Sequence, residues 1–315
     1  MNKENLPEIS IIIPLFNEQE VFPILIERIN AVVTSLEKNI EVILVDDGST
    51  DQTGVLMNNL STSTPHYTSV FLSRNFGHEK AISAGLSVAK STEACFILDG
   101  DLQDPPELLP SFIKKMNQGY DITYGIRQNR KENWVLKNCY RLYYRLQKSV
   151  ATIDIPLDAG DFCLISRRVT DHLNEMQEES LYLRGLRSWT GFKQIGLPYD
   201  RELRKGGKSK YSIKLLTKLA FNGLFNFSEF PIRLISKLGF FTISIALIYF
   251  FYNLIKKFYG AGVPEGYTSL LFAIILFSGV QLLSLGILGE YIVRVFFQVK
   301  KRPLFIIEKV VKKHD

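Results

Sequence analysis

Short runs of apolar residues alternate with longer segments of helical periodicity from residue 9 to residue 124. The apolar runs predict buried strands at 9–13, 41–45, 69–72, 95–98 and 121–124. The helical segments fall near 19–37, 53–60, 77–90 and 105–117. This alternation predicts a Rossmann-like α/β domain whose mostly parallel sheet carries helices on both faces. Ligands of such sheets bind beyond the carboxyl ends of the strands.

Two long uncharged stretches nearer the carboxyl terminus predict membrane-spanning helices. One holds 18 residues between Lys237 and Lys256, and the other holds 24 between Glu265 and Glu290. As helices they would reach about 27 and 36 Å, against a hydrocarbon core of roughly 30 Å. Two buried helices of a soluble protein are the alternative. The segments on the outer sides of these two stretches contain more lysines and arginines than the loop between them. This bias predicts that both termini are cytosolic.

The rest of the chain completes the predicted organisation. The amino terminus is charged and lacks the apolar stretch of a signal peptide, so we expect the large α/β domain to stay in the cytosol. Residues 212–235 mix lysines with leucines and phenylalanines, a pattern typical of amphipathic helices at a membrane surface or of a packing helix of the soluble domain. The predicted segments are a cytosolic domain at 1–211, juxtamembrane helices at 212–235, a two-helix transmembrane hairpin at 236–298 and a basic cytosolic tail at 299–315.

Composition excludes several classes of protein. The 315 residues are 46% hydrophobic and 22% charged, which argues against disorder. The mean hydropathy of +0.05 is high for a soluble protein. Three widely spaced cysteines and four scattered histidines form neither a disulfide framework nor a zinc-binding spacing. No G-x-G-x-x-G follows the first strand and no P-loop occurs, which disfavours dinucleotide and P-loop sites.

Acidic residues cluster where the predicted strands end. The sequence LDGDLQDPPE places Asp99 and Asp101 directly after the fourth strand, with Gln103 and Asp104 as further oxygen donors. Such oxygens can hold a divalent cation and leave positions for phosphate oxygens, although a solvated turn is the alternative.

The first two strands end in a second polar cluster. Asp46 is the second residue of VDDGSTD, the motif that ends the second strand, and it can accept hydrogen bonds from a nucleobase or ribose. The motif can also serve only as a helix entry. Pro14 stops the first strand, and Asn17 and Glu18 then project at the same edge.

The ordered set IIIPLFNE, VDDGSTD, LSRNFGHEKA, LDGDLQDPPE and DAGDFCLISRR resembles family 2 glycosyltransferases of the GT-A fold. Within that family the chain is similar to the polyprenyl-phosphate glycosyltransferases, which include dolichyl-phosphate mannose synthases and bactoprenol glucosyltransferases. The bactoprenol branch is matched by IPLDAGDF, LRGLRSWTGFKQIG and GKSKY. The resemblance covers nearly the whole chain, including both apolar stretches.

The resemblance implies a role for each matching residue. The metal and diphosphate motif corresponds to Asp99, Asp101 and Gln103, with Asp101 also counted as catalytic. The nucleotide pocket corresponds to Pro14, Asn17, Glu18 and Asp46, and the donor diphosphate would be covered by Arg204 and Lys208. The acceptor phosphate corresponds to Arg127 and Arg141. The proposed catalytic aspartate corresponds to Asp161, which could orient a hydroxyl, stabilise oxocarbenium-like charge or act as a base.

One motif departs from the related processive polysaccharide synthases. Their Q-x-x-R-W is only partly matched by Arg187-Ser188-Trp189, and Leu183 or Arg184 stands where the glutamine is expected. This departure disfavours processive polymerisation. His78 is expected to serve at the start of a helix rather than in catalysis.

The expected activity is an inverting transfer of a hexose to polyprenyl (undecaprenyl) phosphate, with Mg²⁺ or Mn²⁺. The acceptor phosphate, with a second pKa of about 6, is mostly dianionic at neutral pH and needs placing more than deprotonating. Contacts with phosphate groups then account for the basic residues, so no nucleic-acid partner is expected. UDP-glucose is the favoured donor because of the branch resemblance. GDP-mannose, another UDP-sugar, or a scaffold without turnover are the alternatives.

The resemblance also implies a cellular setting. We expect a multi-pass protein of the inner membrane. Small residues in the second stretch, among them Gly279, Gly286 and Gly289, would allow close helix approach. They favour a homo-oligomer, with a tetramer as one candidate.

Overall fold

The computed structural model describes residues 6–128, 159–176, 178, 181–200, 266–313 and single positions between 237 and 255. These residues belong to two compact units. The first contains the described residues up to 200 together with 303–313, and the second contains those from 237 to 302.

An eight-stranded sheet forms the centre of the first unit. Its strands are β1 (Ile9–Leu15), β2 (Ile40–Asp46), β3 (Tyr67–Leu72), β4 (Ala94–Ile97), β5 (Ile122–Gln128), β6 (Ala159–Ser166), β7 (Gln194–Asp200) and β8 (Ile307–Lys312). Across the sheet they run in the order β7-β5-β6-β4-β1-β2-β3-β8. Parallel pairing joins β1 to β2 and β4, β2 to β3, and β5 to β7. Only β6 and β8 pair antiparallel with their neighbours, so the predicted mostly parallel α/β fold is confirmed.

Helices connect the strands. They are α1 (Phe22–Ser35), α2 (Thr53–Ser63), α3 (His78–Val88), α4 (Leu109–Met116, preceded by a 3₁₀ turn at Pro106–Leu108), α5 (Arg167–Glu175), α6 (Leu183–Trp189) and α7 (Tyr267–Val299). The five strands and four helices expected before residue 125 are all present. The sequence analysis did not assign β6, β7, β8, α5 or α6. The juxtamembrane helices expected at 212–235 lie outside the described residues.

The core lies on both faces of the central strands. Every residue of β1 is buried, as expected for a parallel strand covered by helices on both sides. Helix α3 packs directly on β1, because a Cβ added to Gly85 would stand 2.4 Å from the Cγ2 of Ile12. Four aromatic rings, those of Phe96, Phe112, Phe162 and Tyr199, join β4, α4, β6 and β7 with neighbouring centroids 5.1–5.9 Å apart. This cluster fixes β6 beside β4.

The carboxyl-terminal segment adds the last strand of this sheet. β8 pairs antiparallel with β3, with Val310 opposite Val70 and Val311 opposite Ser69. Val311 is partly buried against the core, whereas Val310 is 48% exposed. The basic tail expected at 299–315 therefore contains a strand of the amino-terminal domain.

The second unit contains a helix long enough to cross a bilayer. Among the described residues, α7 is the one helix that meets this condition, and its apolar segment Leu276–Val299 has a mean hydropathy of 1.6. α7 has 33 residues and continues through Glu290 to Val299, beyond the 24 uncharged residues that predicted it. Described positions between 237 and 255 are helical and carry exposed apolar side chains such as Phe241 and Ile248. The first of the two expected spans stays a prediction.

Candidate active site

The polar clusters predicted at strand ends meet at one edge of the sheet. Leu15 at the end of β1 is opposite Asp46 at the end of β2, and Ile12 is opposite Ile97 at the end of β4. Because β1 lies between β2 and β4 and is parallel to both, the loops that follow these three strands emerge side by side. This edge, with the loops 16–19, 47–53 and 98–104, is the candidate active site.

The first two loops are tied together by hydrogen bonds. The backbone N–H of Asn17 donates to Ser49 Oγ at 3.0 Å, and its side-chain oxygen accepts from Thr50 N at 2.8 Å. Glu18 N donates to Thr53 Oγ1 at 2.9 Å. Asn17 has φ +53°, a left-handed conformation that asparagine tolerates better than most residues. Thus part of the role of Asn17 is to hold the loop in shape.

Asp46 and Asp47, the adjacent pair among the three aspartates of VDDGSTD, have different roles. Asp46 Oδ1 accepts from Ser49 N at 2.9 Å and so shapes its own loop. The Asp47 carboxylate instead accepts from Phe76 N at 2.7 Å and from Gly77 N at 3.0 Å, which anchors the loop before α3. Gly48 has φ +71°, and an added Cβ would lie 2.6 Å from the backbone of that loop. These two loops interlock closely enough to require glycine.

The DGD loop is packed against the end of β1. A Cβ on Gly100 would meet Leu15 Cδ2 at 2.4 Å and Pro14 O at 3.1 Å. The glycine is therefore needed for close approach to the predicted pocket residue Pro14. Within the loop, Gln103 N donates to Asp101 Oδ1 at 3.1 Å.

Asp104, which was expected to be a further oxygen ligand, is instead buried and paired with protein side chains. It is fully buried, accepts from the Tyr199 hydroxyl at 2.5 Å and pairs with Arg127 Nη2 at 3.5 Å. Arg127 Nε also donates to Tyr199 at 3.3 Å. Burial opposes the charge of Arg127, but the Asp104 carboxylate outweighs it and raises the pKa of the guanidinium. The predicted acceptor-phosphate residue Arg127 thus stands in a fixed position, with its side chain 17% exposed.

Asp161 lies next to Asp99 because β6 pairs with β4. The pairing of Ile97 with Cys163 continues the two strands towards Asp99 and Asp161. Asp161 accepts two hydrogen bonds from Arg184, Nε to Oδ1 at 2.9 Å and Nη2 to Oδ2 at 2.8 Å. Between the two aspartates stands His78, the first residue of α3. Its Nε2 is 3.2 Å from Asp99 Oδ1 and 3.7 Å from Asp161 Oδ2. We call these four residues the carboxylate centre.

Opposite charges set the protonation states of this centre. Burial would raise the pKa of Asp161, but the Arg184 guanidinium holds it well below its usual range. Burial would likewise lower the pKa of His78. The carboxylates of Asp99 and Asp161 outweigh that effect and raise the pKa of His78 well above its usual value. Burial raises the pKa of the neighbouring Glu79 to about 8, and the Asp161 charge adds to this rise. Asp161 is therefore an anion at neutral pH.

A divalent cation fits the donor chemistry of this edge. Asp99 Oδ1 is buried and makes no well-formed hydrogen bond, and the His78 ring lies 3.2 Å from it. The Asp99 carboxylate is therefore an anionic group whose bonding capacity is not filled by hydrogen bonds. Within the part of the chain that the structure describes, no group of three or more carboxylate, histidine or cysteine side chains is arranged to hold a metal. Mg²⁺ and Mn²⁺ sites in nucleotide-dependent enzymes commonly use one or two carboxylates and complete their shell with phosphates and water. Asp99 and Asp101 match that donor set.

The structure brings together many of the predicted residues and adds others. Pro14, Asn17, Glu18 and Asp46 lie at the same edge as Asp99, Asp101 and Gln103, and Asp161 lies beside Asp99. Arg141, Arg204 and Lys208 lie outside the described residues.

The pairing of Arg184 with Asp161, the anchoring contacts of Asp47 and the contacts of His78 were not predicted from the sequence. The position of N-F-G-H after the third strand was a usable signal for His78. No local pattern links Arg184 to Asp161.

The fold and the acidic loops at this edge accompany a clear family assignment: the chain belongs to glycosyl transferase family 2. The model named "Glycosyl transferase family 2" matches residues 10–173, and the model named "GtrB C-terminal hairpin" matches residues 230–295. The expected GT-A membership is thereby confirmed.

Relatives are similar over nearly their whole length. The uncharacterized glycosyltransferase YkcC of Bacillus subtilis is 38% identical over 95% of this chain and 93% of its own. The bactoprenol glucosyl transferase of Shigella phage SfII is 36% identical over 96% of this chain and 98% of its own. The structure of Staphylococcus aureus TarS 1-349 in complex with UDP-GlcNAc is also similar. The alignment with it covers 70% of this chain and 67% of the TarS chain, at 16% identity and a TM-score of 0.47.

Proposed function

We propose that this glycosyltransferase transfers glucose from UDP-glucose to undecaprenyl phosphate at the cytosolic face of the membrane, with inversion. The carboxylate centre at the edge of the sheet is the observation that carries this proposal. In this centre the Asp99 carboxylate, which is a suitable ligand for a divalent cation, lies beside the fixed carboxylate of Asp161. The full-length likeness to a bactoprenol glucosyl transferase supports the choice of sugar and acceptor.

In the proposed reaction the acceptor phosphate oxygen attacks the anomeric carbon. The new bond forms as the bond from that carbon to the β-phosphate oxygen breaks, and UDP leaves with the electron pair. The phosphate is mostly dianionic at neutral pH, so no base is required. Asp99 and Asp101 would hold Mg²⁺ or Mn²⁺, which supplies positive charge for the departing diphosphate.

Asp161 acts in this proposal as a permanent anion rather than a base. Both of its oxygens accept hydrogen bonds from Arg184, and its pKa is well below the usual range. A fixed carboxylate of this kind stabilises positive charge that develops on the sugar ring. Arg127, held by Asp104 and Tyr199, presents a fixed cation to the acceptor phosphate. Arg141 is assigned to the same phosphate, and Arg204 and Lys208 to the donor diphosphate, from the family resemblance.

The return of the chain to the sheet supports a two-span topology. β3 and β8 are paired, so residues 67–72 and 307–312 are on the same side of any membrane. If α7 crosses the bilayer, the chain between β7 and β8 must cross it an even number of times. The match of residues 230–295 to a hairpin model agrees with a first span near 238–255.

Transfer to lipid tests the function directly. The purified full-length protein in detergent would receive undecaprenyl phosphate, Mn²⁺ and, separately, UDP-glucose, UDP-galactose, UDP-GlcNAc and GDP-mannose. We expect labelled glucosyl lipid from UDP-glucose, loss of transfer in Asp101→Asn, and normal transfer in the control Asp171→Asn, whose carboxylate is exposed. Transfer from GDP-mannose alone would refute the choice of glucose as the transferred sugar. No transfer from any donor would refute the proposal that the protein is an enzyme of this kind.

Homo-oligomer formation through α7 is part of the proposal. A Cβ added at Gly279, Gly286 or Gly289 would meet no described atom within 4 Å, so another helix could approach these positions closely. A particle mass in detergent equal to one chain would refute it.

A further inference from the structure

We infer that His78 is a positioning residue that holds Asp99 and Asp161 at a fixed separation through its Nε2, which lies within ion-pair distance of both carboxylates. The inference rests on the proposed function for its kinetic test. Asp99 belongs to the donor side, where the cation and diphosphate would bind, and Asp161 belongs to the sugar side. The two carboxylates come from neighbouring strands, and His78 is the side chain that contacts both.

Electrostatics gives His78 a task that neighbouring residues do not perform. Two carboxylates side by side repel each other and rotate apart unless a donor or cation lies between them. Arg184 donates to both oxygens of Asp161, whereas Asp99 Oδ1 makes no well-formed hydrogen bond and has an ion-pair contact with His78 at 3.2 Å. Without His78, the Asp99 carboxylate would lose the contact that orients it.

The loop before α3 is built to place this side chain. His78 follows Gly77, whose φ of +99° is a conformation that glycine adopts without strain. The Asp47 carboxylate accepts from Gly77 N and Phe76 N, so the loop is anchored to VDDGSTD. The nucleotide loop, the histidine and both carboxylates therefore form one connected assembly.

Two substitutions at His78 distinguish a polar contact through Nε2 from simple packing of the side chain. His78→Ala removes the donor, and His78→Gln keeps an N–H at a reach similar to Nε2. We expect His78→Ala to lower kcat by about 10- to 100-fold, the usual cost of losing a residue that orients a metal ligand. The acceptor KM should change little, and His78→Gln should recover kcat to within a few fold of wild type. His172→Ala, an exposed histidine on α5, is the matched control.

Calorimetry provides a readout independent of turnover. Binding of Mn²⁺ with UDP, and of Mn²⁺ with GDP, would be measured for each variant without acceptor. We expect His78→Ala to bind the ion about tenfold more weakly and His78→Gln to bind it like wild type. Equal or tighter binding by His78→Ala would overturn the inference, and so would a kcat within threefold of wild type or equal losses in both variants. If wild type transfers no sugar, the proposed function fails while the binding measurement still decides the role of His78.

Discussion

The ion pair of Arg184 with Asp161 makes a quantitative prediction about stability. The Asp161 side chain is 7% exposed and accepts two hydrogen bonds from Arg184, which is itself 32% exposed. Removing one partner of a buried ion pair costs about 3–5 kcal/mol, because the remaining charge is left unpaired. Solvent at Arg184 and the nearby His78 reduce that cost, so we expect Arg184→Ala to lose about 2–3 kcal/mol.

The measurement is thermal unfolding of the purified protein. For a domain of this size the loss corresponds to a fall in Tm of about 4–12 °C. Arg184→Lys keeps the charge but can make only one of the two hydrogen bonds, so its Tm should fall by about half as much. Asp161→Asn added to Arg184→Ala should recover part of the loss, because it removes the unpaired charge.

The control is a second bidentate pair whose carboxylate is exposed. Arg28 donates to both oxygens of Glu107, whose side chain is 52% exposed, so Arg28→Ala leaves a solvated carboxylate and should lower Tm less than Arg184→Ala. A Tm of Arg184→Ala no lower than that of Arg28→Ala would refute the view that Arg184 compensates a buried charge. No recovery in the double variant would refute it as well.

Three further predictions concern the sheet edge, the partly buried Glu79 and the interlocked loops. Val311→Asp should lower Tm by several degrees, because this side chain packs on the core, whereas the exposed Val310→Asp should not; equal shifts would contradict the docking of β8. Glu79 has a pKa of about 8 in the folded protein against 4.5 as its ordinary value. Its contribution to stability is present below pH 4.5 and lost as the pH rises to 8, so Glu79→Gln should raise Tm relative to wild type more at about pH 8.5 than at about pH 5. A pH-independent difference in melting curves would count against this burial. Gly48→Ala should lower Tm and weaken UDP binding more than Gly119→Ala, because both glycines have positive φ but only Gly48 faces a close backbone; calorimetry showing equal effects would contradict the interlocking.

The local elements and the polar residues at strand ends could be predicted without coordinates. Apolar runs and helical periodicity depend on neighbouring residues, so the alternation up to residue 124 was sufficient to predict a mostly parallel sheet. The clusters at Asp46 and Asp99 were placed correctly at one edge, because parallel strands direct their carboxyl ends the same way. The ordered motifs were sufficient for the family.

Which of these residues contact one another depends on the folded arrangement of the strands and helices. Asp161 finds Arg184 because β6 and α6 are brought together, and His78 reaches Asp99 because α3 packs over β1. Asp104, expected as a ligand, became a buried partner of Tyr199 from the distant β7. β8 joins β3 across more than 200 residues of sequence, a pairing that no local pattern encodes. Such contacts depend on strand order and register, which the whole core determines, rather than on the residues that flank each position.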